Sequence, residues 1–298
     1  MNDPLADRLA LSPVAIPQCR FEDAFGLVAG AGFTGIGLRY NQLEDYLARG
    51  HTLGQVRDLL KRHGLRFVEG AFVAEWQFHG GLPLICARRR QGGPAEVEES
   101  LKRRLRTFMQ HCSELECRNI TAAPALHEMG NLAVAAEDFA RLCDFAQPYG
   151  LRICLEFMGS APQVNNIKTA FDIVTAANRP NGGLLIDTFL FHEGNSRLED
   201  IALVPGSRIF NVQLADAKPI PREQLNMLED RLYPGEGVAP IESIVAMASA
   251  AGYSGYWTVE LFNPEYAKQP AAEVVKHAYR AAASILRSVA RSGNTAVI

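Results

Sequence analysis

The chain of 298 residues holds no uninterrupted apolar stretch near the roughly 20 residues that a helix needs to cross a bilayer. Residues 1–10 carry Asp3, Asp7 and Arg8 and lack the apolar core of a secretory leader, so the expected address is cytoplasmic. An excess of one charge is missing too: 30 Lys plus Arg against 33 Asp plus Glu leave a net charge of −3. That balance attracts neither a phosphate backbone nor an anionic lipid surface, so no nucleic acid and no membrane is expected as a partner. The six cysteines, Cys19, Cys86, Cys112, Cys117, Cys143 and Cys154, form no Cys-x-x-Cys pair and no knuckle spacing. This excludes a thiolate zinc site and leaves reduced, small apolar side chains. No G-x-G-x-x-G or G-x-x-x-x-G-K-[ST] follows a strand-like run, so a dinucleotide or nucleoside triphosphate would lack its phosphate cradle. With 48% hydrophobic and 21% charged residues, the remaining composition is that of a packed globular protein.

What is present is a repeating alternation. Eight short apolar runs, at residues 9–16, 35–38, 66–72, 119–123, 151–157, 183–186, 209–214 and 255–261, are each followed by a helix-like segment. The clearest helices lie at 21–31, at 52–63 ending on Gly64, at 95–114, at 133–148 ending on Gly150, and at 271–292. "AGFTGIGLRY" at 30–40 and "AGYSGYWTVEL" at 251–261 repeat a helix end, a Gly-aromatic-x-Gly turn and a strand. Eight strand–helix units with no linker and no break in composition predict an α/β fold, a single (β/α)8 TIM barrel over residues 1–298, and not two doubly wound sheets. The active site of such a barrel lies where its strands end.

Those ends carry Glu156 in "ICLEFMG", Asp187 in "LLIDTF", Gln213 in "NVQLADA" and Glu260 in "TVELFNP". One polar residue there is as readily a solvent-facing strand end. Four on four successive strands differ, because burying three carboxylates together costs several kcal/mol per ion unless a cation offsets it. Three carboxylates and an amide are hard oxygen donors that suit one divalent ion, Mg2+ or Mn2+, with Co2+ also compatible. Such a set leaves room for a chelating hydroxy-ketone.

These segments resemble the xylose-isomerase-like TIM-barrel superfamily, the sugar phosphate isomerase/epimerase group, from "GFTGIGLRY" through "GLRF" to "VELFNP". The resemblance implies that Glu156 and Glu260 bind the metal and act as the acid/base pair, while Asp187 and Gln213 are ligands only. It implies a small sugar, cyclitol or hydroxy-ketone substrate and, by analogy, a homodimer or homotetramer. The chain departs from many sugar epimerases in having Gln213 where they have His, and "VQLADA" followed by "RLYPGEG" is similar to the dehydratase side, such as 3-dehydroshikimate dehydratases. Relatives also carry Asp-x-x-His on strand six, whereas Leu190 stands here at the His position and His192 two residues on.

A metal chelating a carbonyl and its neighbouring hydroxyl acidifies the C–H between them. One glutamate removes that proton, and its return to the next carbon, its return to the other face, or expulsion of a β-hydroxyl gives isomerisation, epimerisation or dehydration. Arg231, His192, Arg39 and Glu69 are the candidate substrate-binding residues, and Asp216 a candidate for orienting a ligand or Arg231. Glu75, Trp76 and His79 follow strand three, in a segment up to Pro94 long enough for a lid; core packing competes for Trp76. His127 and Glu128 follow strand four, and the run Arg88, Arg89, Arg90 reads better as solvated surface than as a phosphate clamp. The competing functions are an apurinic endonuclease, which wants more strand-end histidines than these seven supply and a basic groove, and a non-catalytic sugar-binding barrel.

Overall fold

Parallel strands covered on both faces cannot alternate polar and apolar residues, and the eight runs obey this. They form β1 Leu9–Leu11, β2 Gly35–Arg39, β3 Arg66–Ala74, β4 Asn119–Ala123, β5 Arg152–Glu156, β6 Gly182–Asp187, β7 Ile209–Leu214 and β8 Trp257–Val259. The computed structural model describes residues 5–74, 84–85, 94–126, 131–194 and 196–295. Within it each strand pairs in parallel with its sequence neighbour, and β1 closes the ring on β8 with Leu9 opposite Trp257 and Leu11 opposite Val259. The expected eight-stranded barrel is therefore the fold. Leu84–Ile85 adds a short antiparallel strand to β3, and Asp216–Ala217 pairs with Arg231–Leu232 beyond the end of β7.

Around the ring lie α1 Phe21–Ala31, α2 Tyr40–Ala48, α3 Leu53–His63, α4 Pro94–Glu114, α5 Leu132–Ala146, α6 Ile167–Ala177, α7 Thr188–Glu193, α8 Leu198–Ile201, α9 Ile241–Ala250, α10 Pro264–Ala267 and α11 Ala271–Thr295. The main core fills the shell between strands and helices with fully buried Phe25, Phe108, Phe139, Phe157 and Trp257. A smaller core of Cys154, Leu185 and Phe210 packs separately. Cys154 and Glu156 are two apart on β5, as Leu185 and Asp187 are on β6, so period-two alternation carries this small core toward the carboxylates on the same strand faces.

Local chemistry sets the boundaries. The helix predicted over 52–63 starts at Leu53 because Thr52 is its cap, accepting from Gln55 N at 3.3 Å while the Gln55 side chain accepts from Thr52 N at 2.9 Å. The run at 9–16 is a strand only to Leu11. Pro13 lacks the N–H a ladder needs, and it opens a 3-10 turn over Pro13–Ala15. Helix α2 is an element the alternation does not predict, although Tyr40, Leu43 and Tyr46 bury one face at helical spacing. In the repeated phrase, Gly32 (φ 110°) and Gly252 (φ 91°) both take left-handed backbone and turn the chain so that Phe33 and Tyr253 are buried. Among the described residues, no helix is long and apolar enough to cross a membrane, and the five cysteines present are all free. Glu75, Trp76, His79, Cys86, Arg88, Arg89, Arg90, His127 and Glu128 lie outside the described residues.

Candidate active site

Four consecutive strands deliver their last polar residues to one point. Glu156 ends β5, Asp187 ends β6, Gln213 lies one residue from the end of β7, and Glu260 follows β8 directly. One carboxylate oxygen from each of Glu156, Asp187 and Glu260 lies within 4.8 Å of the other two, and all three side chains are buried. Burial and the neighbouring Glu260 and Asp187 push the Glu156 carboxyl well above the usual carboxylate range. Burial raises Glu260 as well, against the opposing pull of Arg231. Asp187 is fixed from two sides: Oδ1 caps α7 by accepting from Leu190 N at 2.9 Å, and Oδ2 accepts from Arg231 Nη1 at 2.5 Å. Glu260 Oε1 accepts from Ser12 Oγ at 3.2 Å, which joins the first strand's end to the last.

Arg231 is only 2% exposed and occupies the carboxylate cluster itself. Beyond Asp187, its Nη1 lies 4.0 Å from Glu260 Oε2, its Nε donates to Met227 O at 3.1 Å, and its guanidinium stacks on Phe189 and Phe262. Burial works against its charge, yet Asp187 and Glu260 outweigh burial and hold its pKa above the ordinary value. The long excursion after β7 delivers it. Lys218 and Asp230 pair at 2.6 Å across the base of that loop. Asp216 makes no hydrogen bond or ion pair with Arg231. It accepts from Ala217 N, Ala239 N and Gly235 N at 2.8 to 2.9 Å and so holds the return of the loop.

Beneath the cluster is a second polar layer. Glu69 on β3 is 1% exposed; its Oε2 accepts from Gln213 Nε2 at 3.0 Å and from Asn211 Nδ2, whose Oδ1 accepts from Thr258 Oγ1 at 3.2 Å. Gly37 makes this possible, since a Cβ there would come within 3.2 Å of Glu69 Oε1. Burial, reinforced by Glu260, raises the Glu69 pKa to about 8. Because Gln213 spends its N–H on Glu69, its carbonyl oxygen Oε1 is left buried without a hydrogen-bond partner. An orphaned acceptor beside three crowded carboxylates fits a cation: the donor set is four oxygens, with no thiolate and no imidazole.

Above the cluster opens a cavity of about 510 Å³. Glu156, Gln213, Glu260 and Arg231 border it, while Ala71, Phe72, Ala123, Pro124, Leu126 and Met158 make much of the wall. Arg39 borders it from the end of β2. The position expected to hold His is filled by buried Leu190, which lines the cavity. His192 sits half-buried one helical step away, outside the lining, with burial and Arg222 lowering its pKa. The structure thus brings together Glu156, Asp187, Gln213, Glu260 and Arg231, sets Arg39 on the cavity wall, hides Glu69 below, and leaves His192 aside. Asn211 is a participant the sequence reading misses. Its signal is period two on β7, which turns Asn211 and Gln213 to the same face.

A sequence profile described as the xylose isomerase-like TIM barrel family matches residues 25–285. Inosose isomerase of Bacillus velezensis is 34% identical over 241 residues, covering 76% of this chain and 82% of that protein. The 3-dehydroshikimate dehydratase of Pseudomonas aeruginosa is 34% identical over 249 residues, 82% of this chain but 36% of the relative's own length. Among solved structures, the IolI protein with a bound zinc atom superposes with a TM-score of 0.83 at 24% identity, over 95% of this chain and 99% of that one.

Proposed function

The chain belongs to the xylose isomerase-like TIM barrel family, and from that premise we propose a divalent-metal-dependent isomerase or epimerase that removes the proton beside the carbonyl of a hydroxy-ketone. With inosose isomerases and 3-dehydroshikimate dehydratases among its relatives, it is an enzyme of the isomerase or lyase type. The observation that carries the reading is the convergence of three buried carboxylates beside the unpartnered carbonyl oxygen of Gln213.

Glu156, Asp187, Gln213 and Glu260 would hold the ion. When bound, it supplies Lewis-acid polarisation of the substrate carbonyl and its neighbouring hydroxyl; oxygen donors suit Mg2+, Mn2+ or Co2+, and the zinc of IolI adds Zn2+ to the ions worth testing. One of Glu156 and Glu260 takes the proton from the carbon between those oxygens, leaving an enediolate, and the other returns a proton to the neighbouring carbon or the opposite face. Their raised pKa values suit groups that alternate between the two protonation states. Arg231 holds Asp187 in place and keeps one side of the cluster neutralised. Glu69 acts through Gln213, fixing which end of the amide faces the cluster.

The dehydratase branch rests on the same first step. The C–H bond breaks, its proton goes to a glutamate, and the β-hydroxyl leaves with its bonding electron pair as a new C=C bond forms; the second carboxyl supplies the proton that turns the leaving group into water. The relatives named for inosose and 3-dehydroshikimate support a cyclic substrate. The test is NMR in deuterium oxide with inososes, 3-dehydroshikimate, ketohexoses and pentuloses. Exchange of the proton beside the carbonyl is expected for a member of this panel, ending with a chelator and returning with Mn2+ or Mg2+. Neither exchange nor dehydration with any member favours a non-catalytic sugar-binding barrel.

A further inference from the structure

Among the described residues two cations line the cavity, and their situations differ. Arg231 has its charge matched at once: Asp187 Oδ2 is 2.5 Å away, Glu260 Oε2 is 4.0 Å away, and the side chain is 2% exposed. Arg39 has no hydrogen bond and no ion pair with any described residue. It ends β2, half-buried, with its guanidinium carbon 5.5 Å from the centre of the Phe72 ring and 5.9 Å from that of Phe262. Stacking of this kind fixes the plane of a guanidinium and strips part of its water while leaving its N–H edge without an acceptor. The neighbouring wall of Ala71, Phe72 and Leu228 supplies no side-chain acceptor. The charge of Arg39 acts on Glu260 and Glu69 without a hydrogen bond to either, so a planar, partly dehydrated guanidinium on the cavity lining keeps donors for an anion from outside the protein.

We propose that Arg39 binds a carboxylate carried on the ring of the substrate, so that the enzyme acts on an acidic cyclic hydroxy-ketone in preference to a neutral polyol. This rests on the enediolate reading above and sharpens it, because it adds an acid-binding point beside the carboxylate cluster: the charge of Arg39 acts on Glu260, and Arg39 shares the Phe262 ring with Arg231. The carboxylate cluster of Glu156 and Glu260 meets the oxygens of the reacting carbons, and Arg39 meets the acid group. The apolar part of the lining, with Ala71, Phe72, Met158 and Leu228, suits the carbon face of a ring better than an open chain of hydroxyls. A carboxylate is favoured over a phosphate since Arg39 is a single guanidinium, with the other lining cation already paired.

Charge discrimination at equilibrium tests this without turnover. Binding of shikimate and of its uncharged methyl ester to the full chain is measured by calorimetry for the wild type, Arg39→Gln and Arg39→Lys. The wild type is expected to favour the acid by about tenfold or more, as for a hydrogen bond to a charged group. In Arg39→Gln that ratio falls toward one, and Arg39→Lys keeps part of it. Using a ratio within each protein removes general damage, and thermal unfolding shows whether the variants fold. Equal affinity for acid and ester in the wild type, or an unchanged ratio in Arg39→Gln, overturns the proposal. So does displacement of shikimate by an equal concentration of inorganic phosphate, which would mark a phosphate site. Turnover separates the two claims. Proton exchange with inosose and neither exchange nor dehydration with 3-dehydroshikimate sinks the acid preference and leaves the enediolate reading standing. Intact charge discrimination without exchange on any ketone does the reverse.

Discussion

Strands β5–β8 and strands β1–β4 end at the same rim in opposite chemical styles. Each of the later four presents a ligand-type oxygen there, in Glu156, Asp187, Gln213 and Glu260. The earlier four end in Arg39, Ala74, Ala123 and, on β1, Leu11 with Ser12 behind it. Their one inward carboxylate, Glu69, is shut in below the rim and tied by hydrogen bonds to β7. The difference separates tasks. Crowded carboxylates destabilise one another unless a cation joins them, so the later half is where proton chemistry can be driven. An apolar wall bearing one stacked cation offers no carboxylate at the rim among the described residues and is suited to choosing what enters.

The sharpest way to break this division is to neutralise a glutamate of the later half. Glu260→Gln keeps the size and one oxygen but removes the group that would carry the proton. Exchange of the substrate proton in deuterium oxide should fall by about 10² to 10⁴-fold, and so should that of Glu156→Gln, with bound divalent ion reduced in the double variant. Unchanged metal content in the double variant would remove Glu156 and Glu260 from the ligand set. A comparable loss of exchange from substitutions confined to the wall at Ala71 or Ala123 would abolish the contrast between halves.

Most of the later half was legible in the sequence because a carboxylate at the end of an apolar run is conspicuous, and three carboxylates and an amide in order leave few alternatives. The barrel itself was legible for a related reason: eight buried parallel strands must read as short apolar runs, and β4 and β7 match their predicted limits of 119–123 and 209–214. Strand ends were less clear where proline intervened, as at Pro13. What the sequence hid is pairing. Arg231 and Arg39 look alike as loop or strand-end arginines, yet one is locked onto Asp187, 44 positions away, and the other is unpaired among the described residues. Glu69 reads as a substrate contact on β3, and only the closed ring reveals that its partners are Asn211 and Gln213 on the far side of the barrel.

The next effect concerns the charge balance within the later half. Arg231→Met keeps an unbranched apolar stem to stack on Phe189 and Phe262 but leaves Asp187 buried without its partner. Removing one member of a buried ion pair costs about 3–5 kcal/mol, so metal-free protein should unfold at markedly lower temperature. Added Mn2+ should restore more stability to this variant than to the wild type, because the ion would relieve the same crowding. Equal stabilisation of the two proteins would mean that the carboxylates and the ion do not share a site.

The smallest effect joins the halves. Glu69 accepts from Gln213 Nε2 and thereby leaves Oε1 of that amide buried and without a partner. Glu69→Leu removes the acceptor while keeping similar bulk, so the Gln213 amide becomes free to turn its N–H₂ toward the cluster, where it repels a cation instead of binding it. Outer-shell partners of metal ligands are worth about 10–100-fold in affinity, and Mn2+ binding, followed by titration calorimetry, should weaken by about tenfold, at the lower end of that range. Glu69→Gln, which keeps a carbonyl oxygen facing Asn211 and Gln213, should recover much of the loss. The decisive measurement is the double variant with Gln213→Ala. If Glu69 acts through Gln213, adding Glu69→Leu to Gln213→Ala costs almost nothing further. If the two losses add, Glu69 reaches the ion by another route, and the early half of the barrel has a share in the metal centre that its rim does not betray.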